Sequence, residues 1–139
     1  MAPPASLDIF NAPNRETCTV RRERTDTPLQ ALVTLNDPQY VEAARKLAEQ
    51  TLNGAANETD PLNFMAERLI ARPLRAEEKK ILLAGMKDLL GHYQNSPRDA
   101  EKLIAIGESK ADDRLDKSTL AAYTIVANQL MNLDEVLNK

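Results

Sequence analysis

The sequence has very little of the chemistry on which many protein sites depend. It contains one cysteine, Cys18, and one histidine, His92. One cysteine cannot form an internal disulfide, and a covalently attached haem requires a Cys-x-x-Cys-His motif. A structural zinc site requires about four cysteine or histidine ligands. We therefore expect this chain itself to bind no cofactor and no metal.

Aromatic residues and long apolar runs are also scarce. Aromatics make up 4% of the chain, so few rings are present on which sugars or bases can stack. The net charge of −3 gives no overall attraction to nucleic acid or to an anionic membrane. No apolar run approaches the roughly 18 residues of a transmembrane helix, and the amino-terminal MAPPASLDIF is too short and proline-rich for a signal peptide. We expect no nucleic-acid partner and no transmembrane segment, and the oligomeric state stays open.

The clearest positive signal is the position of the prolines. Four of them directly follow a residue type that caps helices: Thr27-Pro28, Asp37-Pro38, Asp60-Pro61 and Ser96-Pro97. The cap oxygen accepts a free backbone N–H, while proline has no N–H to satisfy and its φ already suits a helix. Each pair therefore predicts the start of a helix.

Apolar residues at helical spacing extend these four starts into helices over residues of about 28–35, 38–52, 61–71 and 97–106, and predict two further helices over about 75–94 and 117–132. The segment LAAYTIVANQLM is apolar nearly all round, which is typical of the most buried helix of a bundle. LDEVLNK is predicted to extend that helix or to form a terminal turn. The predicted fold class is all-α: an orthogonal bundle of about five to seven helices over residues 27–139, preceded by an extended arm over residues 1–26.

The arm carries the candidate binding residues, which are Arg15, Arg21, Arg22 and Arg24. Such a cluster can bind an anion or a partner through bidentate hydrogen bonds. Acidic residues are interleaved with it, so residues 15–26 carry a net charge of only +1, four arginines minus three acids. We favour ion pairs that pin the arm to the bundle. Pairing with carboxylates of an upstream part of the protein is the alternative.

Cys18 is the candidate reactive thiol, because the neighbouring arginines can lower the pKa of a cysteine. A catalytic thiol also needs a base, and the sole histidine, His92, is far away in the sequence. We therefore expect Cys18 to be a small, semi-buried packing residue. No catalytic residue is predicted.

Three stretches resemble a known family. FNAPNRETCTVRRERTDTPLQALVTLNDPQYVEAARKLAEQ, from Phe10 to Gln50, is long and specific, and LIARPLRAEE (Leu69–Glu78) and LMNLDEVLNK (Leu130–Lys139) are shorter. They are similar to the planctomycete-specific domain of unknown function numbered fifteen-fifty-three. Two positions depart from its pattern. Ala71 stands where a glycine usually precedes Arg-Pro, and Arg75 stands where a Ser- or Thr-type helix cap is usual.

The resemblance implies context without implying a reaction. The family domain is typically the carboxy-terminal part of large exported bacterial proteins that often carry a cytochrome c-type domain upstream. Haem and export, to the periplasm or the cell surface, are thus implied by family association alone. We predict a non-catalytic docking module that packs on upstream domains of its parent protein or on another protein. The alternative is part of an enzyme or ligand-binding site, for example one for polysaccharides, that upstream domains complete.

Overall fold

The computed structural model describes residues 9–11, 18, 20–21, 25, 27–54 and 60–137. These residues form an all-α bundle, and none of them lies in a strand, which confirms the predicted fold class. The helices are α1 (Pro28–Asn36), α2 (Pro38–Gly54), α3 (Pro61–Ile70), α4 (Ala76–Asn95), α5 (Pro97–Ile104), α6 (Lys117–Met131) and α7 (Asp134–Leu137). Within these ranges, no helix has both the length and the apolar character to cross a bilayer.

The prolines mark helix starts as predicted. Thr27 Oγ1 accepts the N–H of Gln30 at 3.3 Å, and Asp60 Oδ1 accepts the N–H of Leu62 at 3.3 Å. Ser96 is the exception, because its hydroxyl accepts no backbone hydrogen bond at the start of α5. The Ser96 carbonyl instead accepts the N–H groups of Asp99 and Ala100 at 3.0 and 3.4 Å. The proline at the first helical position therefore indicates a helix start more reliably here than the cap residue that precedes it.

The ends of the helices differ from the predictions by one or two residues. α1 and α2 run slightly further than predicted, whereas α5 ends at Ile104, before the predicted Ile106. The segment that follows α6 does not extend it. The chain bends at Asn132 and Leu133, and α7 then forms a separate short helix.

The core lies around α6, as its apolar sequence predicts. α6 contacts each of the six other helices. Its buried side chains are Leu120, Ala121, Ala122, Thr124, Val126, Ala127, Asn128 and Leu130. Many are small, which lets α2, α4 and α5 approach its axis closely.

The joint between α3 and α4 explains both departures from the family pattern. Ala71 caps α3 in the left-handed conformation, with φ +57°, where glycine has no steric cost. At the start of α4, Arg75 offers no oxygen for capping. The Glu78 carboxylate accepts the Arg75 N–H at 2.8 Å, so a residue one turn further on satisfies that donor.

Two opposite exchanges of alanine and glycine are expected to stabilise the protein. Ala71→Gly relieves the positive φ and should raise the free energy of unfolding by about 0.5–1 kcal/mol. Gly85→Ala should raise it by about 1 kcal/mol, because Gly85 lies inside α4 and a Cβ there meets no atom within 4 Å. Urea unfolding followed by circular dichroism measures both. A loss of stability in Ala71→Gly would show that the left-handed cap is absent in solution.

Candidate functional site

α1 has its polar side chains inside and its leucines outside. Gln30 and Thr34 are 3% and 1% exposed. Leu29, Leu32 and Leu35 lie on the opposite side of the helix and are 53%, 56% and 42% exposed. Leu133, which follows the last turn of α6, is another large apolar residue left exposed at 40%. Because α1 contains no ionisable residue, its outer side is an uncharged leucine face formed by positions 29, 32 and 35.

The polar side of α1 rests on the end of α6. The Thr34 hydroxyl donates to Asn132 Oδ1 at 2.6 Å, and Asn128 Nδ2 donates to the Thr34 carbonyl at 3.3 Å. Buried polar groups are costly unless they are hydrogen-bonded, so these partners favour one orientation of α1. The leucine face points away from the bundle as a result.

Gln30 connects α1 to the arm. Its Nε2 donates to the Ile9 carbonyl at 2.9 Å and to Thr25 Oγ1 at 2.8 Å, while its Oε1 accepts the Thr27 N–H at 3.0 Å. The ring of Phe10 lies 6.3 Å from that of Tyr40 in α2. Ile9, Phe10 and Thr25 of the arm therefore lie against α1 and the start of α2.

The predicted arginine cluster lies mostly outside the described residues. Arg15, Arg22 and Arg24 are among the residues that the structure does not describe. Arg21 is exposed and forms no ion pair with the described part of the chain. Pinning of the arm by arginine ion pairs thus stays a prediction, and the observed anchors are Gln30 and the Phe10–Tyr40 contact.

The expectation for Cys18 is wrong. This cysteine is exposed and is not a semi-buried packing residue. His92, the only histidine, lies in the last turn of α4 and packs edge-on against Tyr93 at 5.1 Å between ring centroids. Across the residues that the structure covers, no group of three or more His, Cys, Asp or Glu side chains is placed to hold a metal ion.

The two shorter family-like stretches meet at an ion-pair cluster that the sequence analysis did not find. Arg72 donates to both oxygens of Glu78 at 2.9 Å, and to both oxygens of Glu135 at 3.0 and 2.8 Å. These bonds hold the pKa of Glu78 at about 2, lower the pKa of Glu135 and raise the pKa of Arg72. Arg72 thereby connects the α3–α4 joint to α7.

A second network that the sequence analysis did not find joins α2 to the loop over residues 107–112. Arg45 is 0% exposed, and it donates to Glu49 Oε1 at 3.1 Å and to the Ser109 carbonyl at 2.7 Å. Glu42 accepts the N–H groups of Glu108 and Ser109 at 2.9 and 2.8 Å, together with the Ser109 hydroxyl. The hydrogen bond from the Ser109 hydroxyl, followed by the two backbone bonds, holds the pKa of Glu42 at about 2.

Comparison with known families gives a match over more than half of the chain. The model of PSD1, described as a protein of unknown function (DUF1553), matches residues 1–86. This range contains the arm, α1, α2 and the α3–α4 joint, whereas Leu130–Lys139 lies beyond it. The resemblance of that last stretch therefore stays a prediction. No curated protein and no solved structure matches the chain.

Proposed function

Since the chain belongs to the PSD1 family of proteins of unknown function, we propose that it is a non-catalytic docking module of a larger exported, cytochrome-associated bacterial protein. The observation that carries this proposal is the orientation of α1. A helix that buries Gln30 and Thr34 while it exposes three leucines gains stability if another apolar surface covers the leucines. The export and the upstream cytochrome c-type domain are expectations from the family resemblance.

The size of the leucine face favours a covalently tethered occupant. Covering three half-exposed leucines contributes roughly 3 kcal/mol. A free bimolecular complex must offset about 4–15 kcal/mol of lost translational and rotational freedom, and its interface usually involves about 20–30 residues a side. α1 has nine residues. A tether raises the effective concentration to about the millimolar range, at which a small contact can persist.

The occupant that we propose is therefore an apolar, uncharged surface on an upstream domain of the same polypeptide. No charged side chain lies along α1, so this contact needs no charge complementarity. We expect the contact to depend little on salt, because screening acts on charges. The arm would contribute by its anchorage on Gln30, which places Ile9 and Thr25 beside the same helix.

Thiol reactivity at position 32 tests the proposal. In a Cys18→Ser background, Leu32→Cys is labelled with iodoacetamide in the isolated chain and in the parent polypeptide, and the labelled peptide is quantified by mass spectrometry. We expect labelling to be at least about tenfold slower in the parent polypeptide, because a covered thiol is inaccessible. Leu83→Cys, on an α4 residue that is 50% exposed, is the matched control and should react equally in both.

Two results would contradict the docking proposal. Equal labelling of position 32 in both proteins would show that the leucine face is uncovered in the parent. Protection that appears in the isolated chain and increases with its concentration would show self-association instead of docking on an upstream domain. If the pair of substitutions Arg21→Ala and Arg24→Ala left the protection unchanged, these arm arginines would have no part in the contact.

A further inference from the structure

A surface concavity of about 720 Å³ lies between α2 and α3, on residues that the docking face does not use. Lys46 and Gln50 line it from α2, one helical turn apart. Phe64 and Arg68 line it from α3, also one turn apart. Two cations, an amide and an aromatic ring thus surround one space of the size of a small-molecule site.

Arg68 is held in place there by two contacts. Its Cζ atom lies 4.2 Å from the centre of the Phe64 ring, which is the geometry of a cation–π contact. Its NH1 group donates to Gln50 Oε1 at 3.3 Å. A guanidinium carries several N–H donors in a planar fork, and the others have no partner among the described residues. Arg68 is therefore oriented, while the described part of the chain leaves most of its N–H donors available to a ligand.

The charges that line the concavity favour an anion. Lys46 donates to Glu49 Oε2 at 2.8 Å and to the Lys110 carbonyl at 3.1 Å, which positions its ammonium group. Glu49 is the acidic residue of the lining, and Arg45 donates to its other oxygen at 3.1 Å. Because two cations already contact Glu49, its negative charge is offset from within the protein, and Arg68 has no acidic partner among the residues described.

We propose that this concavity binds an oxyanion, such as a carboxylate, sulfate or phosphate group of a small ligand, between Arg68 and Lys46. The Arg68 fork can donate to two oxygens of such a group, because guanidinium geometry matches that of carboxylate and phosphate. The Phe64 ring and the Gln50 amide orient the fork. Lys46 is ion-paired with Glu49, so it contributes a hydrogen-bond donor on the other side of the concavity, and the net positive charge of the lining comes from Arg68.

Titration of the isolated chain with sodium sulfate, phosphate and acetate, followed by nuclear magnetic resonance of backbone amides at constant ionic strength, tests this site. We expect saturable shifts at residues of α2 and α3 around the concavity. Arg68→Gln should weaken binding by about tenfold, since it removes charge-assisted hydrogen bonds. Arg68→Lys should weaken it almost as much, because lysine keeps the charge and loses the fork. The three salts distinguish tetrahedral anions from planar ones.

The control is Arg98→Gln, which removes the same charge from an exposed position in α5 and should leave the affinity unchanged. Circular dichroism of each variant establishes that it is folded. Shifts spread evenly over exposed lysines and arginines, or an equal loss of affinity in Arg98→Gln and Arg68→Gln, would show general electrostatic attraction and overturn the proposal. An absence of saturable shifts with all three salts would overturn it as well.

Discussion

Replacing Arg45 with methionine is expected to lower the free energy of unfolding by about 3–5 kcal/mol. The Arg45 side chain is fully buried and bonds to Glu49 in its own helix and to the carbonyl of Ser109 in the loop over residues 107–112. Methionine occupies a similar length but donates no hydrogen bond. Glu49, which is 7% exposed, would lose a partner in the interior, and the partly buried Ser109 carbonyl would lose its hydrogen bond to Arg45. An unpaired buried acceptor is costly.

Urea unfolding followed by circular dichroism measures this effect, and Arg98→Met is the matched control. Arg98 is exposed, so its replacement should change stability by no more than about 0.5 kcal/mol. Arg45→Lys should also destabilise the protein, because one ammonium group cannot reproduce the planar fork that reaches both Glu49 and Ser109. A loss below about 1 kcal/mol in Arg45→Met would contradict the buried network.

Replacing Gly107 with alanine is expected to lower the free energy of unfolding by about 2–4 kcal/mol, for two reasons that add. Gly107 has φ +104°, a conformation that alanine adopts only with strain. A Cβ at this position would also lie 2.6 Å from Cδ of Glu42. Glu42 would have to move, and its hydrogen bonds to Glu108 and Ser109 would weaken.

A double-mutant cycle separates the two causes. In a Glu42→Gly background the whole side chain is absent, including the Cβ that would lie 2.7 Å from the new methyl group, so Gly107→Ala should cost only the backbone strain, about 1–2 kcal/mol. Urea unfolding of the four proteins gives the coupling. An equal cost in both backgrounds would show that the Glu42 side chain does not contact the loop at Gly107. Gly85→Ala makes the same exchange inside α4, where we expect it to raise the free energy of unfolding. The comparison shows that the local conformation determines the effect, and not the exchange of glycine for alanine itself.

The sequence predicts the helices well because their signals are local. A cap residue, a proline and apolar spacing within one helix are sufficient to place α1 to α6 to within a few residues. Arg45 shows where such reasoning fails. Charged residues at positions 42, 45 and 49 of one helix are typical of a solvated surface. Arg45 is buried because the loop over residues 107–112, which is distant in sequence, folds over it.

The candidate docking face is predictable only in part, for the same reason. The arm and the corner between α1 and α2 stand out in the sequence through their charges, caps and prolines. By hydrophobicity alone, Leu29, Leu32 and Leu35 belong in the core, and Gln30 belongs at the surface. The observed orientation depends on Asn128 and Asn132 at the far end of the chain, and no local pattern in α1 indicates them.

The central position of α6 has a consequence for how the protein is synthesised. The family match ends at Met86, a buried residue within α4, so it does not end at a boundary of the folded unit. α6 contacts every other helix and supplies the amides beneath α1. A nascent chain that ends before Lys117 therefore lacks the helix against which the other helices pack. We infer that the bundle completes its folding only after α6 has left the ribosome.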